Sequence, residues 1–427
     1  MVGLCTPDPV LHFPALAGSL VLSGIGWIGL LRLGTPPKAA LPLVLGLWSL
    51  ALAGEPAMSK DSARYVFEGR VVWYGGPSFP FRIAPSEAPK QALPRHLFDE
   101  TYREINHPTL STIYPPFAQL VFALAGGLGE LFGGAHGRLL RFLLSVAALC
   151  SFLALGRLVP RLAGSAWLLA GCPVLVFETA REGHADSLSV LGLALFAGGF
   201  VNGALRRGFA GLAISALAKL QGVILFPLAL RSTRRGALLG TCLLWLLALP
   251  ILAAGPTALT GLAQYASRWR AGDGSFGLVL AFAEFWLGGD HRYVDALGVT
   301  LTRHQLARGL TLVFFGLVYA GLLVRQRAPA EVPKVAGVVL LMVLLLGPTL
   351  HPWYTSWLLP FVPFMSVGRA SALVMLVASP VLHHPTWLEA TTGAWTDLPW
   401  VRALVHMPAW ALLFRDLRFE RKPANEL

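Results

Sequence analysis

Apolar stretches approaching twenty residues recur along almost the whole of this chain, and few folds can accommodate them. They fall at roughly 11–31, 39–54, 114–133, 138–156, 162–178, 187–205, 208–230, 237–255, 276–288, 306–324, 335–350, 352–367, 370–383 and 401–414. A hydrocarbon core ~30 Å thick needs about 20 apolar residues for each helical crossing. Of 427 residues, 55% are hydrophobic and only 13% are charged, against about 25% charged in a soluble domain. Folded in water, such a chain would expose large apolar patches. The stretches are leucine-rich runs with Gly, Ala and Pro. They do not alternate apolar with polar residues, so they predict helices and not β-barrel strands. The expected fold is all-α: a polytopic transmembrane helical bundle, one membrane domain over 1–427. Several stretches are too short to cross alone, so about 11–13 crossings are expected, some of them short or re-entrant.

The net charge of +12 reads as topology and not as nucleic-acid binding, because Lys and Arg sit in short connections between apolar stretches. Arg32 and Lys38 place the connection 32–38 on the cytoplasmic side, and Arg206 and Arg207 do the same for theirs. The segment 208–230 has those arginines before it and Arg231, Arg234 and Arg235 after it. Both ends therefore belong on one side, which predicts a re-entrant pair of half-helices with its tip near Lys219, Gln221 and Gly222. Met1–Val10 has no basic n-region, so 11–31 is expected to be a retained helix. Cys5, Cys150, Cys172 and Cys242 show neither disulfide nor zinc spacing. A polar tail is expected over 415–427.

Residues 55–113 differ in kind: they are polar, proline-rich and balanced in charge. They hold seven of the 22 acidic residues, from Glu55 to Glu104. The preceding helix delivers them to the outer (periplasmic or extracellular) side as one large loop. Alternation from 114 onward would put 178–186 in the cytoplasm. An outer site that includes 178–186 therefore needs one of 138–156 or 162–178 to be short or re-entrant.

Candidate chemistry lies at the ends of these stretches. Asp61 follows the second apolar helix beside Arg64, Tyr65 and Glu68, and an ionised carboxylate there can accept a proton from a hydroxyl. Glu178-Thr179-Ala180-Arg181-Glu182-Gly183-His184-Ala185-Asp186 packs five ionisable side chains into nine positions. Lys219 sits inside an apolar stretch, where a lysine costs about 2.5–3.5 kcal/mol and so must face a cavity, a partner or an anion such as phosphate. Pro348 and Pro352 present His351, Trp353 and Tyr354 at a membrane boundary, where aromatic faces can stack on sugar rings. Asn106-His107-Pro108 and Tyr114-Pro115-Pro116 bring the outer loop back to the membrane. There is no P-loop, dinucleotide fingerprint, zinc spacing or Gly-x-Ser-x-Gly elbow. No polar stretch is long enough to form a nucleotide-sugar-binding domain.

Taken in order, Asp61-x-x-Arg64-Tyr65-x-x-Glu68-Gly69, Asn106-His107-Pro108, Tyr114-Pro115-Pro116, Glu178 with Gly183-His184-x-Asp186, Lys219 and His351-Pro352-Trp353-Tyr354 resemble the GT-C superfamily of polyprenyl-phosphate-sugar-dependent glycosyltransferases. The resemblance is strongest to bacterial mannosyltransferases of the family-87 type, and it covers about 40–370. It implies inverting transfer of a hexose from a polyprenyl monophosphate to a lipid or glycan hydroxyl at the outer face of the plasma membrane. On that resemblance Asp61 is the catalytic base, and Lys219, His351 and Arg64 bind the donor phosphate. Tyr65, Glu68, His107, Tyr114, Glu178, His184, Asp186, Trp353 and Tyr354 line the substrate site. No cofactor, metal or nucleic-acid partner is implied; the partners are the donor, the acceptor and membrane lipids. The sequence departs from the family in the extra segment 11–31 and in Glu68, where many relatives have aspartate.

Two other classes compete. A transporter or lipid flippase would also use paired half-helices and a midplane charge, but predicts a two-fold repeat of hydropathy; the polar loop 55–113 has no counterpart in the second half. A membrane acyltransferase using His351 or His184 would not need Asp61.

Overall fold

The computed structural model describes residues 10, 12–34, 37–287, 293–296, 299–325 and 328–419. Cys5, most of Met1–Val10 and residues 420–427 of the expected tail lie outside them. The tail's first residues, 415–419, continue the helix Pro399–Phe419.

The chain is all-helical apart from one short antiparallel hairpin, Tyr293–Ala296 with Val299–Thr302, and a bridge between Ala271 and Thr349, among the described residues. Among the described residues five helices are long and apolar enough to cross a membrane: Phe13–Leu33, His136–Leu158, Ala237–Ala254, Arg303–Arg325 and Pro329–Leu346, the last including a 3-10 first turn. On Ala237–Ala254 the Leu238 side chain is 77% exposed and Trp245 63%; on Arg303–Arg325 Leu317 is 69% exposed. Helices that turn leucine and tryptophan outward in this way are built for an apolar surrounding.

Several apolar stretches break, and the residues responsible can be named. Between Pro160–Ala170 and Pro173–Arg181 the chain bends by 60°. Pro173 has no N–H for the preceding turn, and a π-turn at Phe177–Arg181 closes the second half. In 208–230 the helix Leu205–Ala218 stops at Lys219, whose backbone is extended (φ −159°, ψ 131°). The chain then returns through Gln221–Ile224 and Phe226–Ser232. The reversal is tight: a Cβ on Gly222 would lie 2.5 Å from the Ala216 nitrogen, and one on Gly236 would lie 2.9 Å from the Arg206 backbone. Arg206 and the Arg234–Gly236 turn thus sit side by side.

The segment 352–367 is not the helix its composition suggests. It is a 3-10 stretch, Pro352–Leu358, followed by turns; Pro352, Pro360 and Pro363 interrupt any i→i−4 ladder. Within 55–113, conversely, Asp61–Gly75 is a helix, and residues 63–71 are buried throughout. Its Gly69 meets Gly126 of Pro116–Leu131 so closely that a Cβ on Gly69 would lie 2.0 Å from the Phe122 carbonyl oxygen. Asp186–Val201 and Leu205–Ala218 pack backbone to backbone in the same manner, a Cβ on Gly192 falling 2.4 Å from the Ser215 nitrogen. Small residues at such contacts let helices approach without side chains between them.

Candidate active site

Asp61 forms the first turn of Asp61–Gly75, where the free N–H groups of a helix favour a carboxylate. Its Oδ1 accepts from Asn106 Nδ2 at 3.2 Å. Its Oδ2 accepts from the Tyr65 and Tyr114 hydroxyls, each at 3.4 Å, and the two hydroxyls lie 3.0 Å apart. Tyr65 is fully buried and stacks on Phe122 at 4.6 Å. The carboxylate is therefore aimed by donors from its own helix and from both ends of the loop that returns at 106–114. Burial pushes its pKa up, but His184, the Asn106 hydrogen bond, His351 and Lys219 together outweigh burial and hold it below the ordinary value. Asp61 thus lies within electrostatic reach of His184, Lys219 and His351, and His351 within reach of the other two.

Arg64 and Glu68, one helical turn apart, form the knot that holds this loop. Arg64 donates to Glu68 Oε1 at 3.2 Å and to the carbonyls of Asn106, His107 and Leu110 at 2.9, 2.7 and 3.1 Å. The other Glu68 oxygen accepts from Thr112 at 2.8 Å and Gln119 at 2.6 Å. Both side chains were expected to touch substrate; here their polar atoms are engaged within the fold. His107 has φ +49° and lies edge-on to Trp269 at 4.4 Å.

The loop 178–186 packs on the start of the Asp61 helix. Gly183 takes φ +80°, and a Cβ there would fall 3.3 Å from the Ser62 Cβ. The Glu182 carboxylate accepts from the backbone N–H of Met58 at 2.8 Å and Ala57 at 3.1 Å. Arg141 reaches the Gly54 carbonyl and Glu55 Oε2, the latter at 3.1 Å. Glu178 lies between two imidazoles, with Oε1 2.8 Å from His383 Nε2 and Oε2 3.0 Å from His184 Nδ1.

His351 is delivered by a strand-like pairing in which Ala271 N–H donates to the Pro348 carbonyl at 3.2 Å and Leu350 N–H to the Ala271 carbonyl at 2.8 Å. Its ring is parallel to Trp353 at 4.5 Å, while His184 is parallel to the same indole at 3.5 Å. Two imidazoles at these separations cannot share one face without overlapping, so they sandwich Trp353. Both faces of Trp353 are therefore covered by side chains of the fold. Burial, opposed by Asp61, drives the His351 imidazole down to about 3, so near pH 7 His351 is neutral and offers one ring N–H donor. Tyr354 stacks on Trp357 at 4.6 Å and shares a 2.9 Å hydrogen bond with the Tyr265 hydroxyl.

Lys219 Nζ lies 2.8 Å from Asp186 Oδ2 and 4.3 Å from the centre of the Tyr354 ring. Asp186 Oδ1 accepts from Trp357 Nε1 at 2.7 Å. Among the described residues no three His, Cys, Asp or Glu side chains are grouped to hold a metal.

His383, Trp357, Tyr265 and Trp269 were not singled out by sequence. His383 had a readable signal, since it begins a His-His-Pro run that closes an apolar stretch. Trp357 and Tyr265 had none, being aromatics among many.

Fold and site together define an all-helical protein of membrane type, with ionisable side chains from distant segments gathered around Asp61. Comparison with family models, curated proteins and solved structures gave no match.

Proposed function

We propose that the chain is an inverting glycosyltransferase that moves a hexose, mannose in the first instance, from a polyprenyl-phosphate donor to a lipid or glycan hydroxyl. The setting is the outer face of a plasma membrane. The bent pair 160–181, the reversal at Lys219 and the shorter apolar helices supply the short and re-entrant elements of a bundle of about 11–13 crossings, in the GT-C manner.

The observation that carries this reading is the setting of Asp61: an aimed carboxylate, held below its ordinary pKa, with Lys219 and His351 in electrostatic reach. Such a carboxylate can take the proton of an acceptor hydroxyl as that oxygen attacks the anomeric carbon. The donor phosphate leaves on the opposite side, and its charge is met by Lys219 and by a hydrogen bond from His351. Stabilising that leaving charge in a water-poor site is a large part of the expected acceleration. Lys219 is shared with Asp186, so donor phosphate must draw it from that carboxylate or join it there.

The test is transfer from labelled polyprenyl-phosphate mannose in proteoliposomes. Wild-type protein is expected to yield a mannosylated lipid or glycan, and Asp61→Asn to lose about 10²–10⁴-fold in rate while still folding and melting cooperatively at the assay temperature. Full transfer by Asp61→Asn would sink the assignment.

A further inference from the structure

His184 has features that lining a substrate site does not require. It is 1% exposed, and neither ring nitrogen makes a hydrogen bond among the described residues; Nδ1 has only an ion-pair contact with Glu178, and Nε2 has no polar contact of that kind. Nδ1 lies 3.0 Å from Glu178 Oε2, an ion-pair contact that sets this carboxylate beside one edge of the ring and leaves Nε2 on the other edge. The ring is clamped on Trp353 at 3.5 Å, and a protonated imidazole gains from an indole face. Gly183, the residue before it, packs on Ser62, the residue after Asp61. A carboxylate orienting an imidazole whose far nitrogen is free is the arrangement of a base and its orienter.

We propose that His184 is the proton-relay partner of Asp61, positioned by Glu178 and Trp353; this rests on the glycosyl-transfer reading above. As the acceptor oxygen bonds to the anomeric carbon, its O–H bond breaks and the proton goes to the Asp61 carboxylate. The bond from the anomeric carbon to phosphate breaks, and its electron pair leaves with the phosphate. The proton then passes from Asp61 through an intervening water molecule to His184 Nε2, which returns Asp61 to its ionised form, and the imidazolium releases it to bulk water as products leave, so that His184 is neutral again for the next turnover. The imidazolium is met by Glu178, whose second oxygen is bound by His383. The charged and titratable groups around the relay are Asp61, Arg141, Glu178, Arg181, Glu182, Asp186, Lys219, His351 and His383. Of these, Glu178, Asp61 and Asp186 favour a charged His184.

The relay requires a neutral His184, so kcat must fall on the acid side as that ring takes a proton. The experiment is the pH–rate profile of the full chain in proteoliposomes with labelled polyprenyl-phosphate mannose, for wild type, His184→Gln and Glu178→Gln. In His184→Gln the acid limb is expected to vanish, with kcat about 10²-fold lower and donor KM unchanged. Glu178→Gln should keep the limb but move it about one pH unit lower, since the carboxylate that favours the charged ring is gone. An unmoved limb in Glu178→Gln, or a His184→Gln protein whose kcat holds while KM rises, would overturn the relay. If His184→Gln does not fold, the Glu178→Gln shift alone decides. Wild-type protein that transfers no sugar at any pH would refute the functional reading itself, whereas transfer with a limb indifferent to both residues refutes only the relay.

Discussion

Lys219 Nζ and Asp186 Oδ2 lie 2.8 Å apart, and the same carboxylate is fixed from its other side by the Trp357 indole. A lysine placed inside an apolar stretch is thereby matched by a carboxylate from the first turn of another helix, Asp186–Val201. Removing one partner of a buried pair leaves the other charge uncompensated, at about 3–5 kcal/mol, whereas removing both can be nearly neutral. Lys219→Ala is therefore expected to lower the melting temperature in detergent, and Lys219→Ala with Asp186→Asn to recover much of it. In the transfer assay Lys219→Ala should raise donor KM; unchanged donor dependence would remove Lys219 from phosphate binding.

Arg64→Lys tests the loop knot. One guanidinium serves Glu68 and three loop carbonyls, a fork that a point-charge ammonium cannot reproduce. The variant should lose kcat by about 10-fold or more, through misplacement of Asn106 and Tyr114 around Asp61, with donor KM little altered. A rate equal to wild type would show that the loop holds its place without the knot.

Gly69→Ala tests the helix contact beneath the site. The added carbon would fall 2.0 Å from a backbone oxygen, and overpacking of that kind costs about 1–3 kcal/mol. Gly29→Ala, with nothing within 4 Å of the new carbon, is the control and should melt like wild type. Equal melting of the two variants would contradict the close packing of Asp61–Gly75 on Pro116–Leu131.

The depressed pKa of Asp61 has a stability consequence. Its ordinary value is 3.8 and its folded value is lower. Its ionised form thus stabilises the fold above pH 3.8, and that contribution is lost as pH falls through the lower folded value. The melting-temperature advantage of wild type over Asp61→Asn should be steady from pH 5 upward and shrink below about pH 4. Because Asp61 stays ionised across that upper range, an acid limb near neutrality belongs to another group, for which His184 is the candidate.

Much of the helical framework was legible in sequence because the signals are local. Apolar length marks a helix, and flanking arginines mark which of its ends share a side. That reasoning reached the reversal of the chain at Lys219; the 60° bend before Pro173 lies within 138–178, where a short or re-entrant element was expected. It failed at 352–367, where hydrophobicity outweighed the three prolines, and at Asp61–Gly75, a helix of low hydropathy stabilised by burial against Pro116–Leu131.

Site residues were legible as types and positions, not as roles. A sequence can say that Asp61, His184, Lys219 and His351 are costly to place near a membrane and so must have partners. It cannot say which partners, because a carboxylate, a ring face or a carbonyl at 3 Å comes from segments far apart in the chain. Glu68 and Arg64 read as substrate ligands until the 106–119 segment is folded over them. Trp353 reads as an interfacial aromatic; that His184 and His351 stack on its two faces is visible only in the fold. The sequence by itself determined the all-helical, membrane-type class, since apolar length and scarce charge act through solvent and need no partner. Only the tertiary structure decided that Asp186 neutralises Lys219 and that Glu178 orients His184. Such interactions are directional and short-ranged, and they exist only once distant segments have been brought into register.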